Sequence, residues 1–103
     1  MPARTGKQFI EGLRERPPSL YMSGKRVKDP TKQPGLEGGV RTVARLYDLQ
    51  HDPVVGKEMT YESPTTGDQV GMSFLTPRTH EDLERRHKMM RNWARITCGM
   101  MGR

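Results

Sequence analysis

The stretch THEDLERRHKMMRNWARITCGMMGR, Thr79 to Arg103, is the one segment of the chain with a long, capped and continuous amphipathic pattern. Thr79 can act as N-cap with Asp82 completing a capping box, and Glu81, Asp82 and Glu84 put negative charge at the positive end of the helix dipole. Leu83, His87, Met90, Ala94, Thr97 and Met101 recur at spacings of three and four, and Trp93, Ile96 and Met100 widen the stripe. The pattern predicts a helix from His80 to Met101, about 33 Å long at 1.5 Å per residue. Its polar face carries Arg85, Arg86, Lys88, Arg91 and Arg95.

The last turn of that helix is its most apolar, with Cys98, Met100 and Met101 just before Gly102 and Arg103. Helices that close a self-sufficient domain usually end polar, with their last carbonyls capped by a Gly-type motif and more chain. Two readings are open here. In one, the chain is an N-terminal piece of something larger and Met100 and Met101 pack on residues outside it; in the other, these methionines fold back onto the chain's own core.

Outward from this helix, composition sets the limits. The 103 residues make one domain at most, 32% of them are apolar, and there are two Phe, one Trp and eight Met. Ordering such a chain costs on the order of 100 to 200 kcal/mol. Full burial returns roughly 1.5 to 3 kcal/mol per large apolar side chain. The expected core is thin and partly built from adaptable methionines.

The net charge of +6 raises nucleic acid or an anionic surface as partners. The basic residues are nevertheless scattered over Arg14, Arg16, Lys25 to Lys28, Arg41, Arg45 and the last helix, without interleaved aromatics or a basic tail. The single cysteine rules out an internal disulfide and fits a reducing cytoplasm. No apolar run of membrane-spanning length and no secretory h-region after Met1 are present.

From the start, Thr5 to Gln8 forms a capping box for a short helix through about Arg14, with Phe9, Ile10 and Leu13 on one edge. Pro17 and Pro18 end it. Leu20-Tyr21-Met22 and Lys25-Arg26-Val27 read as a hairpin turned at Gly24, which needs a surface to lie on. Asp29 to Gly39 is rich in breakers and reads as a connector; its order is not a nucleotide-binding fingerprint. Val40, Val43, Ala44, Leu46 and Tyr47 mark a second helix, about Val40 to Gln50, with Arg41 and Arg45 on one face. Met59 to Glu62 and Val70 to Leu75 read as a second extended pair around a polar loop.

Few residues could carry chemistry. His51, His80, His87 and Cys98 contain neither a cysteine pair nor histidines at i, i+4, so a metal site is not indicated. Cys98 lacks an evident base and reads as a buried structural thiol. Asp48 and Asp52 lie four apart at a helix end, where carboxylates are more often solvated or cap-related than catalytic. Arg103, just past the most apolar turn, is suited to hold an anion in a dry pocket with its planar donor fork, or is simply a charged chain end.

Three blocks together carry a resemblance. Gly24-Lys25-Arg26-Val27-Lys28-Asp29, Ala44-Arg45-Leu46-Tyr47-Asp48 with His51-Asp52-Pro53, and Trp93-Ala94-Arg95-Ile96-Thr97 with Gly99-Met100-Met101-Gly102-Arg103 occur in that order. In this the chain, from about Thr5 onward, resembles the N-terminal domain of the large oxygenase component family of 4-hydroxyphenylacetate 3-monooxygenase (hydroxylase). Gln33 before Pro34 departs from relatives that often carry His there. The 4-hydroxybutyryl-CoA dehydratases, a related branch, fit the Trp93 to Arg103 block less well.

The resemblance implies a mostly α fold with small β-hairpins: residues 1–103 as the truncated N-terminal helical domain of an acyl-CoA dehydrogenase-like flavoprotein, with the central β-barrel and C-terminal helical bundle absent. It implies a cytoplasmic, two-component flavin-dependent monooxygenase of aromatic compound catabolism, a homotetramer at full length. Such an enzyme takes reduced FAD (FADH2) from a separate NADH-dependent flavin reductase and uses O2 to hydroxylate a phenol ortho to its hydroxyl. Of the family's substrate-holding residues only the arginine can be carried over, onto Arg103, as a catalytic and substrate-binding group; the flavin contacts fall mostly outside the chain. The residues themselves indicate no metal site and no membrane association, and under the resemblance the 103 residues alone would be inactive. The competing class is a small basic nucleic-acid-binding or interaction module using Arg41, Arg45 and the last helix.

Overall fold

The computed structural model describes residues 2–99. The chain runs through α1 (Gly6–Glu15), β1 (Tyr21–Met22), β2 (Lys25–Arg26), α2 (Glu37–Leu49), the single turn α3 (Gly56–Met59), β3 (Thr60–Glu62), β4 (Gln69–Gly71), a 3₁₀ turn (Met72–Phe74) and the long α4 (His80–Thr97). A mostly helical chain with two small antiparallel hairpins is therefore what the sequence pattern indicated.

At α1 the capping box forms in full. Thr5 Oγ1 accepts from Gln8 N–H at 3.1 Å and Gln8 Oε1 accepts from Thr5 N–H at 2.9 Å. Its apolar edge lies on α2, where Phe9 stacks on Tyr47 with ring centroids 4.9 Å apart. The crossing is close because position 6 has no side chain: a Cβ on Gly6 would stand 2.5 Å from the Ala44 carbonyl oxygen and 2.7 Å from Asp48 Oδ2. Asp48 Oδ1 takes the Gly6 N–H at 2.7 Å, tying the first turn of one helix to the last turn of the other.

β1 and β2 pair antiparallel, with Tyr21 opposite Arg26 and Met22 opposite Lys25. Ser23 and Gly24 both have positive φ, 51° and 78°, as a two-residue turn matched to strand twist requires. Val27, 3% exposed, follows β2 into the core and donates its N–H to Leu20.

Three expectations need correction. α2 starts at Glu37, not Val40, so Gly38 and Gly39 lie inside its first turn instead of breaking the chain. First-turn amides need no intrahelical acceptor, and Leu36 and Glu37 both donate to the Gln33 carbonyl, which launches the helix despite its glycines. The second extended segment ends at Gly71: β4 pairs with β3 in the register Thr60 to Gly71, Tyr61 to Val70 and Glu62 to Gln69, and the chain then curls into the 3₁₀ turn. The curl points Met72 into the interior, 1% exposed, where a continuing strand would have carried the chain away.

The third concerns α4. It ends at Thr97 instead of reaching Met101, because Cys98 turns left-handed (φ 54°, ψ 36°) and Gly99 follows at φ 82°. Both their N–H groups return to the Ala94 carbonyl, closing the helix as a left-handed C-terminal cap does. The buried face is also rotated from the stripe with the most regular spacing. Met89 (1% exposed), outside that stripe, is fully buried with Trp93 packed beside it; of the stripe itself Thr97 is buried and Met90 packs on the core, whereas Leu83 is 55% exposed and His87 lies in solvent.

The core is a junction of three methionines. Met59 from α3, Met72 from the 3₁₀ turn and Met89 from α4 are the largest fully buried side chains, surrounded by Leu49, Val55, Tyr61, Leu75, Met90 and Trp93. Arg86 braces the same junction: its Nη1 donates to the carbonyls of Ser73 (3.1 Å) and Leu75 (2.8 Å), fastening the 3₁₀ turn to α4.

Gly6→Ala is expected to destabilise the chain by about 1 to 3 kcal/mol, since the new methyl overlaps fixed backbone. Gly12, with open space at its Cβ position, gives the opposite sign: Gly12→Ala should stabilise by about 0.5 to 1 kcal/mol. Urea unfolding of the two variants beside the parent checks both.

Candidate functional site

Two open concavities lie side by side, and Tyr47, Gln50 and Phe74 belong to both. The larger, about 380 Å³, adds Arg4, Tyr61 and Gly71 to its wall; the smaller, about 200 Å³, adds Val43, Ser73 and Trp93. Their positions follow from the fold. Tyr47 and Gln50 come from the end of α2, Tyr61 from β3, Trp93 from α4, and the 3₁₀ turn holds Phe74 between them, 75% exposed. Gln50 fits against β4 because Gly71 has no side chain: a Cβ there would stand 2.9 Å from Gln50 Nε2. The N-terminal arm forms the outer rim, with Ala3 N–H donating to Gln69, His51 Nε2 to the Arg4 carbonyl, and the Arg4 guanidinium 6.0 Å above the Tyr47 ring.

This is an aromatic, largely uncharged surface suited to being covered. Trp93 Nε1 is buried without a hydrogen-bond partner among the described residues, a condition that costs about 1 to 3 kcal/mol unless an acceptor arrives. Both concavities stay open, so the described residues do not enclose a flavin as cofactor sites enclose their ligands.

The candidates named from sequence fall out as follows. Arg103, with Met100 and Met101, lies outside the described residues. Cys98 is exposed, not buried, because the left-handed cap turns it outward from the helix end. Among the described residues no three His, Cys, Asp or Glu side chains gather as metal ligands. His80 contacts Glu84 at 3.2 Å, His87 Nε2 accepts from Arg91 at 3.1 Å, and His51 serves the Arg4 carbonyl. Asp48 and Asp52 do cap-related work. Asp48 holds Gly6, and Asp52 Oδ1 accepts from Val54 and Val55 N–H at 2.8 and 2.9 Å. The capping box expected at α4 is half present: Thr79 Oγ1 accepts from Asp82 N–H, but the Asp82 carboxylate reaches past Thr79 to Arg78 N–H at 3.0 Å. Arg86 and Phe74 were not legible as site-forming residues. Arg86 reads in sequence as one more cation on a solvated face.

Comparison with known proteins gives the class. The family described as "4-hydroxyphenylacetate 3-hydroxylase N terminal" matches residues 5–103. The chain belongs to this family. The 4-hydroxyphenylacetate 3-monooxygenase oxygenase component of Thermus thermophilus is 52% identical over 98% of the chain and 21% of its own length. A crystal structure of an oxygenase component of 4-hydroxyphenylacetate 3-monooxygenase, complexed with FAD and 4-hydroxyphenylacetate, superposes with a TM-score of 0.90 at 52% identity, over 98% of the chain and 21% of that protein. An archaeal 4-hydroxybutyryl-CoA dehydratase from N. maritimus matches less closely, with a TM-score of 0.77 and 30% identity over 89% of the chain and 18% of its own. The chain thus spans about a fifth of the length of the relatives it matches. No helix among the described residues is long and apolar enough to cross a membrane.

Two outcomes follow from this geometry. Asp52 and Asp82 ionise below the ordinary aspartate value of 3.8, Asp52 through the Val55 and Val54 amides and Asp82 chiefly through the Arg78 amide. Their folded values are depressed, so the stability they contribute is complete above the ordinary value and is lost as pH falls through the lower folded values. Unfolding midpoints measured between pH 6 and pH 2 should fall at the acid end, and Asp52→Ala should flatten that fall. Arg86→Ala should cost about 2 kcal/mol, since two hydrogen bonds from a charged donor are lost. Arg86→Lys should recover only part of it for want of the forked geometry. Denaturant unfolding followed by Trp93, the sole tryptophan, reads both variants.

Proposed function

We propose that this chain is the N-terminal helical domain of a two-component, FADH2-dependent aromatic monooxygenase that hydroxylates a 4-hydroxyphenylacetate-like phenol ortho to its hydroxyl with O2. The observation that carries this reading is the match over residues 5–103, joined to superposition on an oxygenase component crystallised with FAD and 4-hydroxyphenylacetate. The closer likeness to that protein than to the dehydratase, 52% against 30% identity, favours hydroxylation over dehydration. A central β-barrel and a C-terminal helical bundle complete the enzyme in this reading, as do an NADH-dependent flavin reductase that supplies the reduced cofactor, a cytoplasmic location and a homotetramer. The 103 residues alone are inactive, in keeping with the open concavities.

Within that enzyme Arg103 is the residue of this chain proposed to touch substrate. A permanent guanidinium facing the phenol favours the phenolate, which raises electron density at the ortho carbon and makes it the better nucleophile. The rigid cap at Cys98 and Gly99, four residues upstream, gives the segment a fixed point of departure from α4. The nucleic-acid reading has less support. Arg41 is paired with Glu37 at 4.0 Å, Arg86 is committed to carbonyls and Arg91 to His87, so several of the cations this reading needs are already engaged.

In a family-length polypeptide carrying this domain, Arg103→Ala should lower phenol hydroxylation at least a hundredfold while reduction of FAD by the reductase proceeds unchanged. Steady-state product formation measured beside NADH-dependent flavin reduction separates the two. Normal hydroxylation by the variant contradicts the assignment.

A further inference from the structure

The larger concavity brings together aromatic rings, unengaged polar groups and one fixed cation. Tyr47, Tyr61 and Phe74 supply the rings. Gln50, in the same wall, lies against Gly71, where a Cβ would stand 2.9 Å from its Nε2. The side-chain polar atoms of Gln50, Tyr47 and Tyr61 make no hydrogen bond among the described residues. Arg4 is the only charged residue of the wall among the described residues, and it makes no ion pair with any of them. It belongs to no helix or strand, yet its position is held. Ala3 N–H donates to the Gln69 carbonyl at 2.8 Å, His51 Nε2 donates to the Arg4 carbonyl at 3.2 Å, and the guanidinium lies 6.0 Å from the Tyr47 ring centre.

We propose that this concavity binds a small aromatic carboxylate, whether or not the chain heads an oxygenase. The ring sits among Tyr47, Tyr61 and Phe74, and the carboxylate sits on the Arg4 guanidinium. Each part of the ligand answers a feature of the wall. Aromatic side chains favour a ring, which stacks on them or meets them edge to face. A guanidinium matches a carboxylate with two parallel N–H donors and repels an amine. The volume, about 380 Å³, is near the small end for ligand sites and suits a single ring better than a nucleotide, whose diphosphate would also outnumber the one cation. The Gln50 amide, which both donates and accepts, engages a polar ring substituent where the ligand carries one. The anchored arm puts the cation in place before the ligand arrives, which lowers the ordering cost of binding.

The test titrates phenylacetate into the 103-residue chain and follows the backbone amides of Arg4, Gln50, Tyr61 and Gly71 by NMR. These signals should move together on one saturating curve with a Kd of about 1 mM, as an open site gives so small a ligand. Arg4→Ala should weaken binding about tenfold, whereas Arg16→Ala, which removes the same charge at the far end of α1, should leave it unchanged. Both arginines are exposed, so neither change should disturb folding, which melting followed by Trp93 fluorescence checks. Acetate, with the charge but no ring, and benzyl alcohol, with the ring but no charge, should each bind about tenfold more weakly than phenylacetate. Shifts scattered over the surface cations, no saturable shift at these four amides, acetate binding as well as phenylacetate, or undiminished binding by Arg4→Ala would each overturn the proposal.

Discussion

The contact of Met89 with Met59 and Met72 is the constraint on which the other elements depend. It joins the long helix to the α3–β3 turn on one side and to the end of the β4 strand on the other, and these are the only three large side chains with essentially no exposure among the described residues. Methionine suits such a junction because its unbranched, polarisable chain fills the irregular gap where three non-parallel elements meet. Each buried side chain returns roughly 1.5 to 3 kcal/mol. So small a core leaves the backbone clamps, Arg86 on the 3₁₀ turn and Asp48 on Gly6, a large share of the work of fixing geometry.

The division of labour along the chain follows. α1 and α2 form one packed unit through Phe9, Tyr47 and the close approach at Gly6. α3, the second hairpin and α4 form another through the methionines. The aromatic concavities lie where the two meet, around Tyr47, Gln50, Phe74 and Trp93. The apolar surface left open there and along Leu83 and Met90 agrees with a domain that represents a fifth of its relatives' length.

What could be read in the sequence was what local chemistry decides. The Thr5 capping box, the turn at Ser23 and Gly24 with its hairpin, and the start of α4 each depend on a few adjacent residues, and each formed where it was expected; the second hairpin formed with other strand ends. The misses depend on contacts that the pattern of residue types does not encode, some local and some distant in sequence. Gly38 and Gly39 became helical because Gln33 caps the turn before them, and the strand after Gly71 curled because Met72 had a cavity to fill and Arg86 carbonyls to hold. Periodicity gave the helix α4 but not its rotation, since two apolar stripes share it and only packing chooses which faces inward. The family was legible from three dispersed blocks, whereas Arg103 lies outside the described residues and rests on resemblance.

The most direct test of the central claim is methyl NMR of the chain labelled at its eight methionines. The Met59, Met72 and Met89 methyls should show mutual contacts and contacts to the Trp93 ring, and should be shielded from a soluble paramagnetic probe that bleaches exposed methyls. Eight methyl signals collapsed at the random-coil position and bleached alike would contradict the account.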